Sequence, residues 1–328
     1  MLIATLPTLT SGRALELSER ILAHPLIGAV RYNTGGASPY KPAEILAKLN
    51  PLALKYGKKL YVDLEGRQVR IAKWTPFESG AVTLNTKFEI KLPGKIYFRG
   101  LGWFEILNAN PREKKIYFDT ADAPSRYFLG ESQSVHIVAE SFETASYLSP
   151  QDFYYIDAAI RLDMKSFMLS FVESKNDLDE FFRIYGGHKY RPDPSNAEIV
   201  LKIESVKGVE FIKDLLYALN DGCTLMAARD DLFLAYVDRR SEFLEAVEAI
   251  ITKDPDAILA SKIMSGLESG YEVSAGDMAD MVLMSLIDYE NFMFSDELTS
   301  KFDLAMESWA NVVLPMLRNQ KDGINGQI

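Results

Sequence analysis

The chain has 328 residues, enough to bury a large core, and its 48% hydrophobic and 25% charged content is that of an ordinary globular protein. A net charge of -10 argues against a nucleic-acid footprint, and a single cysteine, Cys223, excludes a disulfide framework or a thiolate metal cluster. No apolar run is long enough to cross a bilayer and Met1 to Leu6 lacks the basic region of a signal peptide, so the expectation is a cytoplasmic protein with no membrane partner.

Short apolar runs bounded by turn residues alternate with longer segments of helical spacing. The strand Leu2 to Leu6 is followed by a helix over 12–24, Ile27 to Arg31 by a helix over 42–55, and then comes the strand Lys59 to Asp63. From Ile71 to Ser146 the alternation stops. This stretch is strand-like and turn-rich, as in Lys87 to Leu92 and Lys95 to Phe98, and reads as an all-β insertion. Alternation resumes with a helix over 150–161, preceded by the cap residue Ser149. The strand Ser166 to Ser170 precedes a helix over 176–186 capped by Asn176, and Ile199 to Lys202 precedes a helix over 208–219. Thr224 to Ala227, Ala257 to Ala260 and Asn291 to Phe294 are followed by helices over 239–252, 276–287 and 298–318.

Eight strands alternating with helices favour an α/β fold of the (β/α)8 TIM-barrel type, formed by residues 1–70 and 147–328, with a small all-β lid domain, residues 71–146, inserted after the third strand. Such an insertion would sit over the C-terminal face of the barrel, where active sites form. The alternative is a purely stabilising or oligomerising subdomain.

Charged residues that end barrel strands are candidates for chemistry, and the topology brings them to one rim. Arg31 and Asn33 follow the second strand, Asp63 and Arg70 the third, and Lys202 and Glu204 the fifth. Arg229, Asp230 and Asp231 follow the sixth, Ser261 the seventh and Ser295 the eighth. Residues two apart on a strand share a face, so Lys202 and Glu204 point together into the mouth. With Asp231 at the next strand end, Glu204 makes a site for Mg2+ or Mn2+, completed by water and substrate oxygens. The alternative is a structural ion-pair network. A cation beside a lysine and two arginines suits a multiply charged anionic substrate whose enolate it would stabilise. The three histidines, His24, His136 and His188, lack metal-ligand spacing and read as structural or surface residues.

Leu201-Lys202-Ile203-Glu204-Ser205 resembles the Lys-Ile-Glu-Asn segment of pyruvate kinases, and Ala228-Arg229-Asp230-Asp231-Leu232 their Ala-Arg-Gly-Asp-Leu. Arg31-Tyr32-Asn33 is similar to that family's Arg-Leu-Asn, Asp63 to Arg70 to its Asp-Thr-Lys-Gly-Pro-Glu-Ile-Arg, and Ser170-Phe171-Val172 to its Ser-Phe-Ile. Order and spacing agree over essentially the whole chain. The resemblance implies Lys202 as the cation facing the transferred phosphoryl group and the enolate oxygen, Glu204 and Asp231 as Mg2+ ligands, and Arg31 and Arg70 as phosphate clamps. It also implies Asn33 and Asp63 at the remains of a K+ site, and Ser261 near the proton-transfer path. Arg229, Asp230 and Asp231 would lie at the substrate carboxylate, held by the amides of Asp230 and Asp231.

Departures from the family pattern are specific. Gly35-Gly36 stands where it has Ser-His, Asp230 where it has a glycine, and Ser132 to His136 where the lid carries Lys-Lys-Gly-Val-Asn. Set against the resemblance, the expectation is a barrel and lid without the family's usual C-terminal regulatory domain. Three readings follow. The first is a Mg2+-dependent pyruvate kinase acting on phosphoenolpyruvate or pyruvate with ADP or ATP. The second is a metal-dependent lyase, aldolase or decarboxylase of pyruvate- or oxaloacetate-like acids, favoured by the missing lid lysine. The third is a non-catalytic binding protein. The partners expected are small molecules, with a homo-oligomer left open.

Overall fold

The computed structural model describes residues 1–121, 127–190, 192–214, 222–286 and 289–317, so the last residues of the helices expected over 208–219, 276–287 and 298–318 lie outside the described residues. Three strands, β1 (Leu2–Thr5), β2 (Ala29–Asn33) and β3 (Lys59–Leu64), precede the insertion. Seven strands then form it: β4 (Thr75–Pro76), β5 (Ala81–Thr83), β6 (Phe88–Phe98), β7 (Gly102–Asn110), β8 (Lys115–Phe118), β9 (Phe128–Leu129) and β10 (Val135–Thr144). After it come β11 (Ser166–Leu169), β12 (Glu198–Ile203), β13 (Cys223–Ala228), β14 (Ile258–Ala260) and β15 (Phe292–Met293).

Strands β1, β2, β3 and β11 to β15 close into a barrel in the order β1-β15-β14-β13-β12-β11-β3-β2, with every pair parallel. The eight expected strands are all present, and none of their starts is displaced by more than two residues. Helices surround the barrel: α1 (Gly12–Ala23), α2 (Pro42–Lys55), α3 (Pro150–Arg161), α4 (Lys175–Gly186), α5 (Val206–Asp214), α6 (Arg229–Ala235), α7 (Phe243–Lys253), α8 (Ser265–Ser269), α9 (Ala275–Leu286) and α10 (Phe302–Ser308). Two are additions to the sequence reading, the short α6 and α8 that follow β13 and β14. The cap of α4 is also corrected: the helix starts after Ser174 rather than Asn176, because the Asp177 carboxylate accepts the amides of Glu173 and Ser174.

Side chains alternate in and out along a barrel strand, and this period organises the interior. Ile3, Ala29, Tyr61, Met168, Val200, Met226, Ile258, Ala260 and Met293 make one apolar plug, with at least one residue from every strand. Two residues further along five of these strands stand Thr5, Arg31, Asp63, Ser170 and Lys202, all buried and all polar. The apolar plug thus ends where the polar mouth begins. Shortening a plug residue such as Met168 to Ala would cost on the order of 2–5 kcal/mol.

The insertion builds an antiparallel sheet in the order β10-β6-β7-β8-β5 and a two-stranded β4-β9 ribbon. It has its own core, in which the Phe77 ring meets Phe98, Phe104 and Phe118 at centroid distances of 4.9–5.8 Å. The chain leaves the barrel through Gly66, at φ +54, where a Cβ would collide with the Ser170 carbonyl. Asp152 in the first turn of α3 accepts the amides of Glu65, Gly66 and Ser149 at 2.8, 3.1 and 2.8 Å, so the exit and the return of the chain are pinned by one buried carboxylate.

Candidate active site

The C-terminal mouth of the barrel is a cleft of about 1090 Å³ between the strand ends and the insertion. Of the residues expected there, Arg31, Asn33, Asp63, Arg70, Lys202, Glu204, Asp230, Asp231 and Ser261 line it, as does Ser295. Arg229 does not. Its Nε and Nη2 donate to the Ser261 carbonyl at 3.1 and 2.8 Å and its Nη1 pairs with Asp280 at 2.7 Å, so the side chain anchors the loop after β14. The expectation that Arg229 binds substrate is corrected accordingly: its guanidinium donors are used by the protein.

The lining residues form a continuous polar arc in barrel order. Asp231, in the first turn of α6, is in hydrogen-bond contact with Glu204 at the end of β12. Glu204 lies 3.1 Å from Lys202 Nζ, which also donates to Ser170 Oγ at 2.8 Å and lies 3.4 Å from Asp63. Asp63 accepts from Arg31 Nε at 2.6 Å, and Arg31 continues to Thr5 at 3.1 Å and to Asp296. Asp296 in turn accepts from Asn33 at 2.7 Å. Seven of the eight barrel strands contribute, through residues on them or just after them.

Burial inside such an arc sets the protonation states. Burial pushes the Glu204 carboxyl up to about 7, reinforced by the charges of Asp231 and Asp63 and opposed by Lys202 and by the Phe171 amide, which donates to Glu204 at 2.7 Å. Burial would also raise Asp231, but the His136 hydrogen bond and the nearby positive charge hold it well below its ordinary value. For Lys202 burial works downward and is outweighed by Asp63 and Glu204, so the ammonium is held above its usual value. Two carboxylates in contact, one of which favours its proton, form a strong seat for a cation that would replace that proton. Among the described residues there is no group of three or more His, Cys, Asp or Glu side chains placed to hold a metal ion, so a cation here would have two protein carboxylates and open positions.

Several partners were missed in the sequence. His136 was read as structural or surface, yet its Nε2 lies 2.8 Å from Asp231 Oδ1, because β10 runs along the barrel rim. The only signal was its place in the segment matched to the family's lid motif. Glu65 pairs with Arg70 at 2.5 Å, and a side chain at Gly35 would collide with the Arg70 guanidinium, so the departure from Ser-His makes room for that arginine. The added charge of Asp230 is met by Lys262 at 2.7 Å. The insertion contributes one cation to the cleft, Arg99, which pairs with Glu297. Asn33 and Asp63 are not brought together as an oxygen cage: Asp63 faces Arg31 and Lys202, and Asn33 faces Asp296 and the Gly35 amide.

Two strand ends carry left-handed backbone at residues other than glycine. Phe171 has φ 52, and Ser261, Lys262 and Met264 have φ 62, 59 and 53. Such conformations cost on the order of 1–3 kcal/mol each and persist where the surroundings fix them. At Phe171 the result is an amide aimed at Glu204, and at Ser261 a carbonyl aimed at Arg229. No helix among the described residues is long and apolar enough to cross a membrane. A scan against protein-family models and a search of curated proteins find no match to this chain, so its function is read from the residues and their geometry.

Proposed function

We propose that this chain is a pyruvate kinase-like enzyme that carries a small 2-oxo acid through its enolate, with Mg2+ or Mn2+ held by Glu204 and Asp231. The observation that carries the reading is the contact of the buried Glu204 carboxylate with the half-buried Asp231 carboxylate beside the Lys202 ammonium, at the mouth of a parallel barrel. The donor set fits, since two hard oxygen ligands with open positions suit a divalent cation that keeps water and substrate oxygens. When bound, the cation would supply positive charge to the substrate carboxylate and enolate oxygens.

The chain's own residues prepare the rest. Lys202, held charged between Asp63 and Glu204, places an ammonium where negative charge develops on the enolate oxygen. Ser261, on its strained loop, lines the cleft where a proton could reach the enolate carbon. The inserted domain acts as a lid: Lys95 pairs with Asp238 at 3.0 Å, His136 with Asp231 at 2.8 Å and Arg99 with Glu297, so it rests on the rim through ion pairs. In the full reaction the bond from phosphorus to the enol oxygen of phosphoenolpyruvate breaks, a bond to the ADP terminal phosphate oxygen forms, and the enolate takes a proton to give pyruvate.

Deuterium exchange into the pyruvate methyl group, followed by NMR in D2O with Mg2+, tests the enolate chemistry without a nucleotide. Exchange that is abolished by Glu204→Gln is expected, and absence of exchange at high protein concentration would refute the reading. A second reading, a decarboxylase or lyase that uses no nucleotide, is favoured by one observation: both clamp arginines are already ion-paired, Arg31 to Asp63 and Asp296 and Arg70 to Glu65. Metal-dependent loss of CO2 from oxaloacetate, indifferent to ADP and without turnover of phosphoenolpyruvate, would select it.

A further inference from the structure

A second cleft, of about 920 Å³, lies between β10 and the loops after β11 and β12. It shares one wall with the catalytic mouth, the side chain of Glu204. Its lining mixes the apolar Val138, Ala139, Phe142, Phe171, Val206 and Ala235 with charged groups that include Glu173 and Glu204. An apolar lining with polar groups beside it is the usual chemistry of a small-molecule site.

Two features show that this surface is shaped rather than left over. Strand β10 changes register against β6 between Ala139 and Ser141, a bulge that bends the strand where it borders the cleft. Phe171 is a half-buried aromatic on left-handed backbone whose ring leans on His136 at a centroid distance of 5.8 Å, and it packs into neither the barrel core nor the core of the insertion. Val138 likewise belongs to neither core. The Phe171 and His136 rings stand at the boundary between the apolar cleft and the carboxylate pair.

Building on the enolate reading, we propose that this cleft receives the side chain of the substrate, so that the preferred 2-oxo acid carries an apolar chain of several carbons on the carbon that loses its proton. The carboxylate and keto oxygens stay at the Glu204 and Asp231 end, and the chain passes beneath His136 into the apolar body. In the exchange step the C–H bond next to the carbonyl breaks and its proton passes to solvent water, its electron pair forms the enolate double bond as the carbonyl π pair moves onto oxygen, and a deuteron from solvent returns to the same carbon as the carbonyl re-forms.

The test uses the full chain with Mg2+ and a graded series: pyruvate, 2-oxobutanoate, 2-oxopentanoate and 2-oxo-4-methylpentanoate. Binding is measured by calorimetry and exchange by NMR. Affinity is expected to rise about fourfold per added methylene, the factor that corresponds to about 0.8 kcal/mol per buried CH2. Val138→Trp, which fills the cleft from a residue outside both cores, is expected to remove that rise. Binding that is flat or falls with chain length while pyruvate exchanges overturns the cleft proposal and leaves the enolate reading standing. Rising affinity with no exchange for any acid supports the cleft and sinks the enolate reading. No binding of any member overturns both.

Discussion

Replacing Lys202 by Met removes the one cation that lies between Asp63 and Glu204, at 3.4 and 3.1 Å. At an effective dielectric of about 20 each attraction amounts to ~5 kcal/mol, and most of it is offset by the desolvation of the three charges. The two carboxylates are not left equally exposed to the loss. Asp63 keeps Arg31 at 2.6 Å, whereas Glu204 keeps only the Phe171 amide and its contact with Asp231. Glu204 is 1% exposed and cannot rehydrate without moving the rim, so the cost should fall in the range of about 3–5 kcal/mol for an uncompensated buried charge. The methionine stem keeps the apolar packing, which limits any cavity contribution. Urea unfolding at pH 8, followed by circular dichroism with and without the substitution, measures the difference. A loss below about 1 kcal/mol would refute the claim that Lys202 neutralises a buried carboxylate, since surface pairs are worth only that much.

Other outcomes follow from the same contacts. Asp152→Ala leaves two buried amides and one half-buried amide without an acceptor and is expected to cost on the order of 3 kcal/mol in urea unfolding, with a deficit under 1 kcal/mol counting against the pinning of exit and return. Asp277 accepts from Ser274, Gly266 and Ser265, and although burial works the other way these hydrogen bonds hold its carboxyl below 3.8. A depressed folded pKa contributes stability that is present above the unfolded value and lost as pH falls through the folded one. Wild type should therefore exceed Asp277→Asn in stability at pH 6, and the gap should shrink as pH falls below the ordinary carboxylate range of about 3.9; a gap that stays constant on acidification would contradict the assignment. Arg229→Met frees the Ser261 carbonyl and is expected to cost about 2 kcal/mol and to make the 261–264 loop the first site of limited proteolysis. An unchanged cleavage pattern would mean that the loop is held by other contacts.

The barrel was legible because each strand is a short apolar run with turn residues at its ends, and the parallel order then fixes which ends share a rim. Lys202, Glu204 and Asp231 were legible for the same reason, from the period of two along β12 and the neighbouring position of β13. What escaped were side chains whose role depends on tertiary approach. His136 lies on an insertion strand with no pattern of its own, and it meets Asp231 only because β10 is laid along the rim. Glu65, Asp296 and Glu297 carry no pattern of their own in the sequence, yet each pairs with an arginine of the mouth. Arg229 looked like a site residue from its neighbours and proved to be turned toward Asp280, because α6 starts at that position and rotates successive side chains by a helical step. The short α6 and α8 were missed because one or two turns of helix carry too little periodicity to distinguish from a loop.

The central claim is that Glu204 and Asp231 together seat a divalent cation. Titration of the full chain with Mn2+, read by electron paramagnetic resonance, measures this independently of any reaction. The account predicts one site per chain, weakened at least a hundredfold by Glu204→Gln and likewise by Asp231→Asn, while Asp230→Asn leaves it within a few fold. Equal Mn2+ binding in the wild type and in both carboxylate variants would contradict it, and would leave the arc as a structural ion-pair network.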